Sequence, residues 1–260
     1  DGQEKWVKTY GSNGNDYGYS VIQTDDEYIS VGKSGRIPSL FVVKTDSYGD
    51  KIWEKLYGEG PGDKAQYVIK SAGQVPSYIA LGQINDPSTT DSDICIIGIN
   101  SNGDQHWYRT IQYGNSINEH GNYVSSLTGG GYIVAGTRQI NNWDDLLLMK
   151  VNNDGTQSSS WNFGGSYNEV GNYAQEVDGG YFISGFTESF GRGLYDAWII
   201  KIDGNGNEIY DHTFGGNLDD KMLGGTNSLA GDPVIVGYTN SFGNGGEDML
   251  FIKIDQRYQP

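Results

Sequence analysis

Nine acidic residues recur at fixed places in this sequence, and they are the residues best suited to chemistry. Asp16, Asp63, Glu119, Glu169 and Asp220 each follow a glycine by five positions. Brought to one mouth of a common axis, five such carboxylates would raise one another's pKa or attract a cation, with calcium as the cofactor to consider. Alternatively, two of them could act as the acid and base of glycoside cleavage. The competing reading is architectural: each carboxylate accepts backbone N–H bonds in its own turn. A feature repeated in every copy favours architecture, because catalysis needs asymmetric roles. On that reading no cofactor is required.

The other four acids are Asp93, Asp145, Asp196 and Asp248, each five residues ahead of Gly98, Lys150, Lys201 or Lys253. They are expected to start a strand and hold the loop before it. The segments Asp46–Asp50, Asn100–Asp104 and Asp203–Asn207 resemble calcium loops but lack a distal Glu and flanking helices, so turn chemistry explains them more simply.

Departures from the repeat say more about ligands, since symmetry does not demand them. Arg36, Arg138 and Arg192 lie in segments that vary between copies, together with Trp143 in Asn141-Asn142-Trp143-Asp144 and Tyr195 in Gly193-Leu194-Tyr195. An aromatic flanked by Asn, Asp and Arg can stack on a sugar ring or anchor a protein partner. Local packing and pairing of the arginines with carboxylates compete with that reading. Other motifs carry less. Gly58-Glu-Gly-Pro-Gly62 imitates a phosphate loop, but a strand follows it and its Glu repels phosphate. His106, His120 and His212 lack ligand spacing for zinc. Cys95 sits in an apolar strand and reads as a core thiol. No serine-centred elbow is visible.

These residues must be positioned by 260 residues that include 40 Gly and 19 Tyr, with 17 basic and 33 acidic side chains, a net charge of −16. Such an excess of acid opposes binding to a phosphate backbone. The longest apolar runs, Leu146 to Met149 and Met249 to Ile252, are too short to cross a membrane as helices. A single cysteine excludes an internal disulfide framework. The chain begins at Asp1 without a leader, as expected if a targeting segment has been removed or the sequence trimmed, and it contains no Asn-X-Ser/Thr acceptor.

Self-similarity then sets the architecture. Trp6, Trp53, Trp107, Trp161 and Tyr210 open five related segments ending in Gly11, Gly58, Gly114, Gly164 and Gly215, at steps of 47, 54, 54 and 49 residues. Each unit reads as four short strands. In the fourth, Tyr173 to Val177 is followed by an Asp-Gly-Gly turn, Tyr181 to Gly185, a long loop, Asp196 to Lys201, a second turn and the strand around Tyr210. A single domain over 1–260 follows: an all-β, five-bladed β-propeller of four-stranded antiparallel blades. The last unit stops after its third strand, so the segment Glu4 to Tyr10 is expected to close that blade.

The runs Asp178-Gly-Gly-Tyr-Phe-Ile-Ser-Gly185 and Asp196-Ala-Trp-Ile-Ile-Lys-Ile-Asp-Gly-Asn-Gly206, with Trp-x-x-x-Tyr/Phe-Gly before them, resemble the propeller-type repeats of secreted and surface-attached bacterial and archaeal proteins. The resemblance covers essentially the whole chain and implies an extracellular or cell-surface location. With no catalytic constellation in view, the expected function is a non-enzymatic binding or scaffold module that meets a carbohydrate or protein through its variable loops. Two alternatives stand beside it: a self-assembling surface-layer or filament subunit, and a carbohydrate-active enzyme using channel carboxylates. Neither nucleic acid nor membrane insertion is expected.

Overall fold

The computed structural model describes residues 2–35, 40–58, 62–73, 75–85, 91–114 and 116–255. Among them are 19 strands, no helix, and five antiparallel sheets whose strands pair in chain order. The first sheet holds β1 (Tyr17–Thr24), β2 (Glu27–Lys33), β3 (Leu40–Asp46) and β4 (Lys51–Tyr57). The second holds β5 (Lys64–Lys70), β6 (Tyr78–Asn85), β7 (Ser92–Ile99) and β8 (Gln105–Ile111). The third holds β9 (Glu119–Ser126), β10 (Tyr132–Ile140), β11 (Trp143–Val151) and β12 (Gln157–Phe163). The fourth holds β13 (Glu169–Val177), β14 (Gly180–Thr187), β15 (Asp196–Asp203) and β16 (Glu208–Phe214). The fifth has three strands, β17 (Asp220–Asn227), β18 (Pro233–Thr239) and β19 (Asp248–Lys253).

Contacts group the chain into two compact units, Asp1–Gly121 with Asn153–Thr156, and Asn122–Asn152 with Gln157–Pro260. In the first, Ile29, Leu40, Val42, Val68, Ala80 and Ile97 form a core. In the second, Ile133, Leu146, Leu148, Ile183, Trp198 and Ile200 do the same. The third strands β3, β7, β11 and β15 read as apolar runs because both of their faces are covered: Leu146 to Met149 and Ile94 to Ile97 are fully buried.

First strands share one irregularity. The pairing of β5, β13 and β17 with their neighbours skips a residue between Ala65 and Tyr67, Gly171 and Tyr173, and Met222 and Gly224. The bulge leaves one side chain per strand free to turn outward. Asn172 uses it to donate to Met222 O (2.8 Å), and Asn122 of β9 donates to Gly171 O (3.0 Å), which ties successive first strands together.

The repeated tryptophans make a second joint. The indole N–H of Trp53 donates to Ser101 O, and that of Trp161 to Asn205 O, each at 3.0 Å. Their rings cover Gly103 and Gly206, which hold φ of +85° and +91° in the last turn of the following sheet. The Trp107 ring covers Gly155 in the same way. Register puts Tyr57 opposite Leu40 and Phe163 opposite Leu146, so Trp161 lies two residues closer to its strand end than Trp53 does. Side chains two apart share a face, and both indoles reach an equivalent turn.

The segment 2–10 forms no strand, and the last sheet ends at β19, so the expected fourth strand at Glu4 to Tyr10 is not formed. Its side chains are engaged elsewhere. Trp6 donates to Ser47 O (3.0 Å), Lys8 pairs with Asp50 (2.9 Å), and the Tyr10 hydroxyl donates to Gly49 O. On β19, Met249 and Phe251 remain 81% and 65% exposed, whereas β15 is buried almost throughout.

Candidate active site

Four of the five acids that follow a glycine accept hydrogen bonds from nearby loops. Glu169 accepts from the Gly165 and Ser189 N–H groups and the Thr187 hydroxyl at 2.9–3.1 Å. Asp220 accepts from the Gly216 and Ser241 N–H groups and from the hydroxyls of Ser241 and Thr239. Burial pushes the Asp220 carboxyl up, but those hydrogen bonds outweigh it and hold it below the usual range. Asp16 accepts from the Ser12 and Gly35 N–H groups, and Asp63 from the Asn85 N–H. Glu119 is fully buried at the start of β9. Among the described residues, no three acids, histidines or cysteines gather around a common point suited to a metal.

The calcium-like segments are turns. Asp46 Oδ1 accepts from the N–H groups of Tyr48 and Asp50, and Asp203 Oδ1 from those of Asn205 and Asn207. These contacts hold Asp203 below its ordinary pKa, led by the Asn207 side chain. Cys95 is fully buried, which pushes its thiol up to about 12.

Third-strand acids divide in an unexpected way. Asp196 Oδ2 accepts the Arg192 N–H (2.6 Å) and Asp248 Oδ2 the Asn244 N–H (2.8 Å), so both hold the loop before them. Asp93 accepts from the Gln112 amide (2.6 Å). Asp145 has no such loop. Asn141 and Asn142, with φ of +52° and +73°, close β10 and β11 into a two-residue hairpin, the geometry that asparagine tolerates best after glycine. Trp143 therefore stands on a strand paired with Ile140, and not in a loop as its surroundings in sequence suggest.

Alternation along β11 puts Trp143 and Asp145 on one face, with Arg138 directly across the ladder from Asp145. The Trp143 ring, 40% exposed, meets Tyr167 edge-on at 5.3 Å. A Cβ built on Gly164 would lie 2.5 Å from Asp145 Oδ1 and 2.6 Å from Glu169 Oε2, so those oxygens are at most about 5 Å apart. Burial first, and the Glu169 charge second, push the Asp145 carboxyl up to about 6 against the opposing pull of Arg138. A partly exposed carboxyl in that state can donate a proton near neutrality.

The other variable-segment residues have separate surroundings. Tyr195 stacks under Lys221 Nζ (3.7 Å) and meets Phe186 at 5.3 Å. Arg192 contributes its backbone N–H to the Asp196 loop. Arg36 and most of the Gly58–Gly62 loop lie outside the described residues. Tyr167 goes unnoticed in the sequence, and Asp145 is expected there only to start its strand and hold the loop before it. The available signal was the two-residue connection before Trp143, which leaves Asp145 no loop to hold.

No protein-family model matches the chain, and no curated protein does. Solved structures do. A protein assigned as an exo-β-1,3-galactanase from Bifidobacterium bifidum s17 aligns with a TM-score of 0.53 at 10% identity, over 91% of this chain and 87% of that one. A thermostable family-43 glycoside hydrolase gives 0.51 at 11%, over 94% and 92%. A family-43 β-1,3-galactosidase bound to galactodeoxynojirimycin gives 0.50 at 7%, over 92% and 90%. These neighbours correct the expectation of a non-enzymatic binding or scaffold module: they are glycoside hydrolases, and they favour the carbohydrate-active alternative. At such identities the likeness establishes the fold, and this chain is similar in fold to the β-propeller glycoside hydrolases of family 43.

Proposed function

We propose that this protein is a carbohydrate-active enzyme that cleaves glycosidic bonds, with Asp145 as the proton donor and Trp143 and Tyr167 as the platform for the sugar. The observation that carries this reading is the position of Asp145. Three other third-strand acids are tied to a loop or an amide, whereas Asp145 stands half-open beside an exposed aromatic pair, with the buried Glu169 carboxylate close by. Glycoside hydrolysis needs one carboxylic acid to protonate the leaving oxygen while water bonds to the anomeric carbon and gives up a proton, and a neighbouring fixed negative charge keeps the acid's proton in place until it is needed. Glu169, held by three hydrogen bonds, serves as the fixed charge. Arg138 across the strand pair limits how far the acid is raised. In the same reading the five sheets are five blades, one per sequence repeat.

The exo-β-1,3-galactanase and the β-1,3-galactosidase among the structural neighbours make β-1,3-linked galactosides the first substrates to test. Release of reducing sugar from a β-1,3-galactan, or of aryl alcohol from aryl galactosides and arabinosides, should be abolished by Asp145→Asn. Trp143→Ala should raise KM more than it lowers kcat. Activity should decline above about pH 6, as the donor loses its proton. Wild-type protein inert on all these glycosides, or Asp145→Asn protein as active as wild type, would refute the assignment.

A further inference from the structure

The aromatic pair and the carboxyl pair of the site are the outer two of three consecutive contacts between β11 and the chain entering β13. Trp143 meets Tyr167, Asp144 meets Asn168, and Asp145 stands beside Glu169. The middle contact is a hydrogen bond, in which Asn168 Oδ1 accepts the Asp144 N–H at 3.1 Å. That N–H lacks a partner in its own sheet. Ile140 and Trp143 flank the two-residue turn and exchange the hydrogen bonds of the hairpin, so the next residue, Asp144, points its N–H away from β10. On the other side β12 ends at Phe163, opposite Leu146, two residues short of Asp144.

The same bond recurs in two other places. Asn118 Oδ1 accepts the Ser92 N–H (3.0 Å), and Asp219 Oδ1 accepts the Tyr195 N–H (3.4 Å). Each acceptor directly precedes a first-strand acid, Glu119, Glu169 or Asp220. Each donor directly precedes a third-strand acid, Asp93, Asp145 or Asp196. The bond therefore governs how close two carboxyls come. Gly215 lies between Asp196 and Asp220 as Gly164 lies between Asp145 and Glu169. Asp93 and Asp196 engage an oxygen with the Gln112 amide and the Arg192 N–H, so of the three clamped acids Asp145 is the one left to exchange a proton. Asn168 is itself held. Its Nδ2 donates to Glu188 Oε2 (2.9 Å), and the Glu188 N–H donates to Asn168 O (2.9 Å). A carboxylate on one side and an N–H on the other leave the amide a single orientation, with its oxygen toward Asp144.

We propose that Asn168 is the positioning residue of the site, setting the separation of Asp145 from Glu169 and of Trp143 from Tyr167 through its bond to the Asp144 N–H. It acts through the strand that carries the proton donor. The inference rests on the reading of Asp145 as that donor and names the group that keeps it in range of Glu169. The charged groups facing Asp145 are Glu169, Arg138 and Asp144, and among them Glu169 acts most strongly. Without the clamp the start of β11 is released from Glu169, and Asp145 loses its proton at lower pH.

The test follows Asp145 in the full chain by carboxyl carbon NMR, its signal identified by its absence from Asp145→Asn protein, beside the pH profile of glycoside cleavage. Asn168→Ala should lower the Asp145 midpoint by about half a pH unit and move the alkaline limb of the activity profile with it. Its kcat should fall about tenfold. Asn118→Ala removes the same bond beside an acid that is already engaged, and should leave the midpoint and the limb unchanged. Asn168→Asp combined with Glu188→Gln exchanges carboxylate and amide across their hydrogen bond and keeps an acceptor for Asp144. That double variant should recover the midpoint and bring kcat to within about threefold of wild type. Should Asn168→Ala misfold, Asn168→Leu, similar in shape but without an acceptor, takes its place. An Asp145 midpoint indifferent to the loss of Asn168, an equal shift in Asn118→Ala, or an exchange that recovers nothing would each overturn the proposal. A shifted midpoint in a protein that cleaves no glycoside would support the clamp and sink the hydrolase reading. Cleavage by wild type with a midpoint indifferent to Asn168 would do the reverse.

Discussion

Replacing Asp145 by Asn removes a charge without changing the side chain's shape, and its effect on stability can be worked out in advance. The carboxyl titrates near 6 in the folded protein against an ordinary value of 3.8, so the folded state holds the proton more tightly than the unfolded chain. Stability contributed by this group is therefore fully present below about pH 4 and falls as pH rises through about 6. A shift of that size corresponds to about 3 kcal/mol at most. Solvent screening of a partly exposed group reduces it to about 1 kcal/mol. Asn carries no such loss, so Asp145→Asn should be the more stable protein at pH 7.5, by about 2 °C in melting temperature. The difference should close as the pH is lowered to 4. Thermal unfolding followed by circular dichroism across pH 4 to 8 reads this directly. A variant that is less stable at neutral pH, or one whose advantage is independent of pH, would refute the claim that Glu169 and burial hold a proton on Asp145. A stabilised variant that has lost glycoside cleavage would show strain kept for function.

Other substitutions test the remaining arguments. Gly206→Ala puts a methyl group at φ +91° and into the Trp161 ring, and should cost about 2–4 kcal/mol in urea unfolding. Asp220→Asn leaves the Gly216 and Ser241 N–H groups competing for a weaker acceptor, and should cost about 2–3 kcal/mol by the same measurement. Because hydrogen bonding holds Asp220 below the usual carboxylate range, wild-type protein should lose this contribution as the pH falls through that lowered pKa, and the variant should show a smaller acid loss. Trp143→Ala truncates a half-exposed ring at a strand end, so its melting temperature should move by no more than about 2 °C while affinity for oligosaccharide drops.

Much of this architecture was legible from the spacing of a few residues. Glycine-to-acid spacing and alternating apolar runs marked the strands because both follow from local backbone demands: positive φ in the turns and an acceptor for loop N–H groups. Asp196 and Asp248 hold their loops as their position suggested. The segment 4–10 shows where that reasoning fails. Its composition is that of a strand, and Trp6 and Tyr10 seat on the turn at Asp46–Asp50 much as Trp53 and Tyr57 of β4 seat on theirs, but a strand also needs a backbone partner, and the segment has none among the described strands. The site was less visible for a similar reason. Asp145 looks like its repeat counterparts by type and spacing, and what sets it apart is the length of the hairpin before it and its distance from Glu169. Neither is a property of residue 145.

The indole seated over a left-handed glycine has a consequence for how such a chain can change in length. Trp53 with Gly103, Trp107 with Gly155 and Trp161 with Gly206 are interchangeable fittings: each couples one module to its successor without reference to the rest. A gene that gains or loses a whole module keeps every remaining coupling intact, whereas an insertion inside one breaks two. Variation between relatives should therefore come in steps of about fifty residues or be confined to the connections between second and third strands.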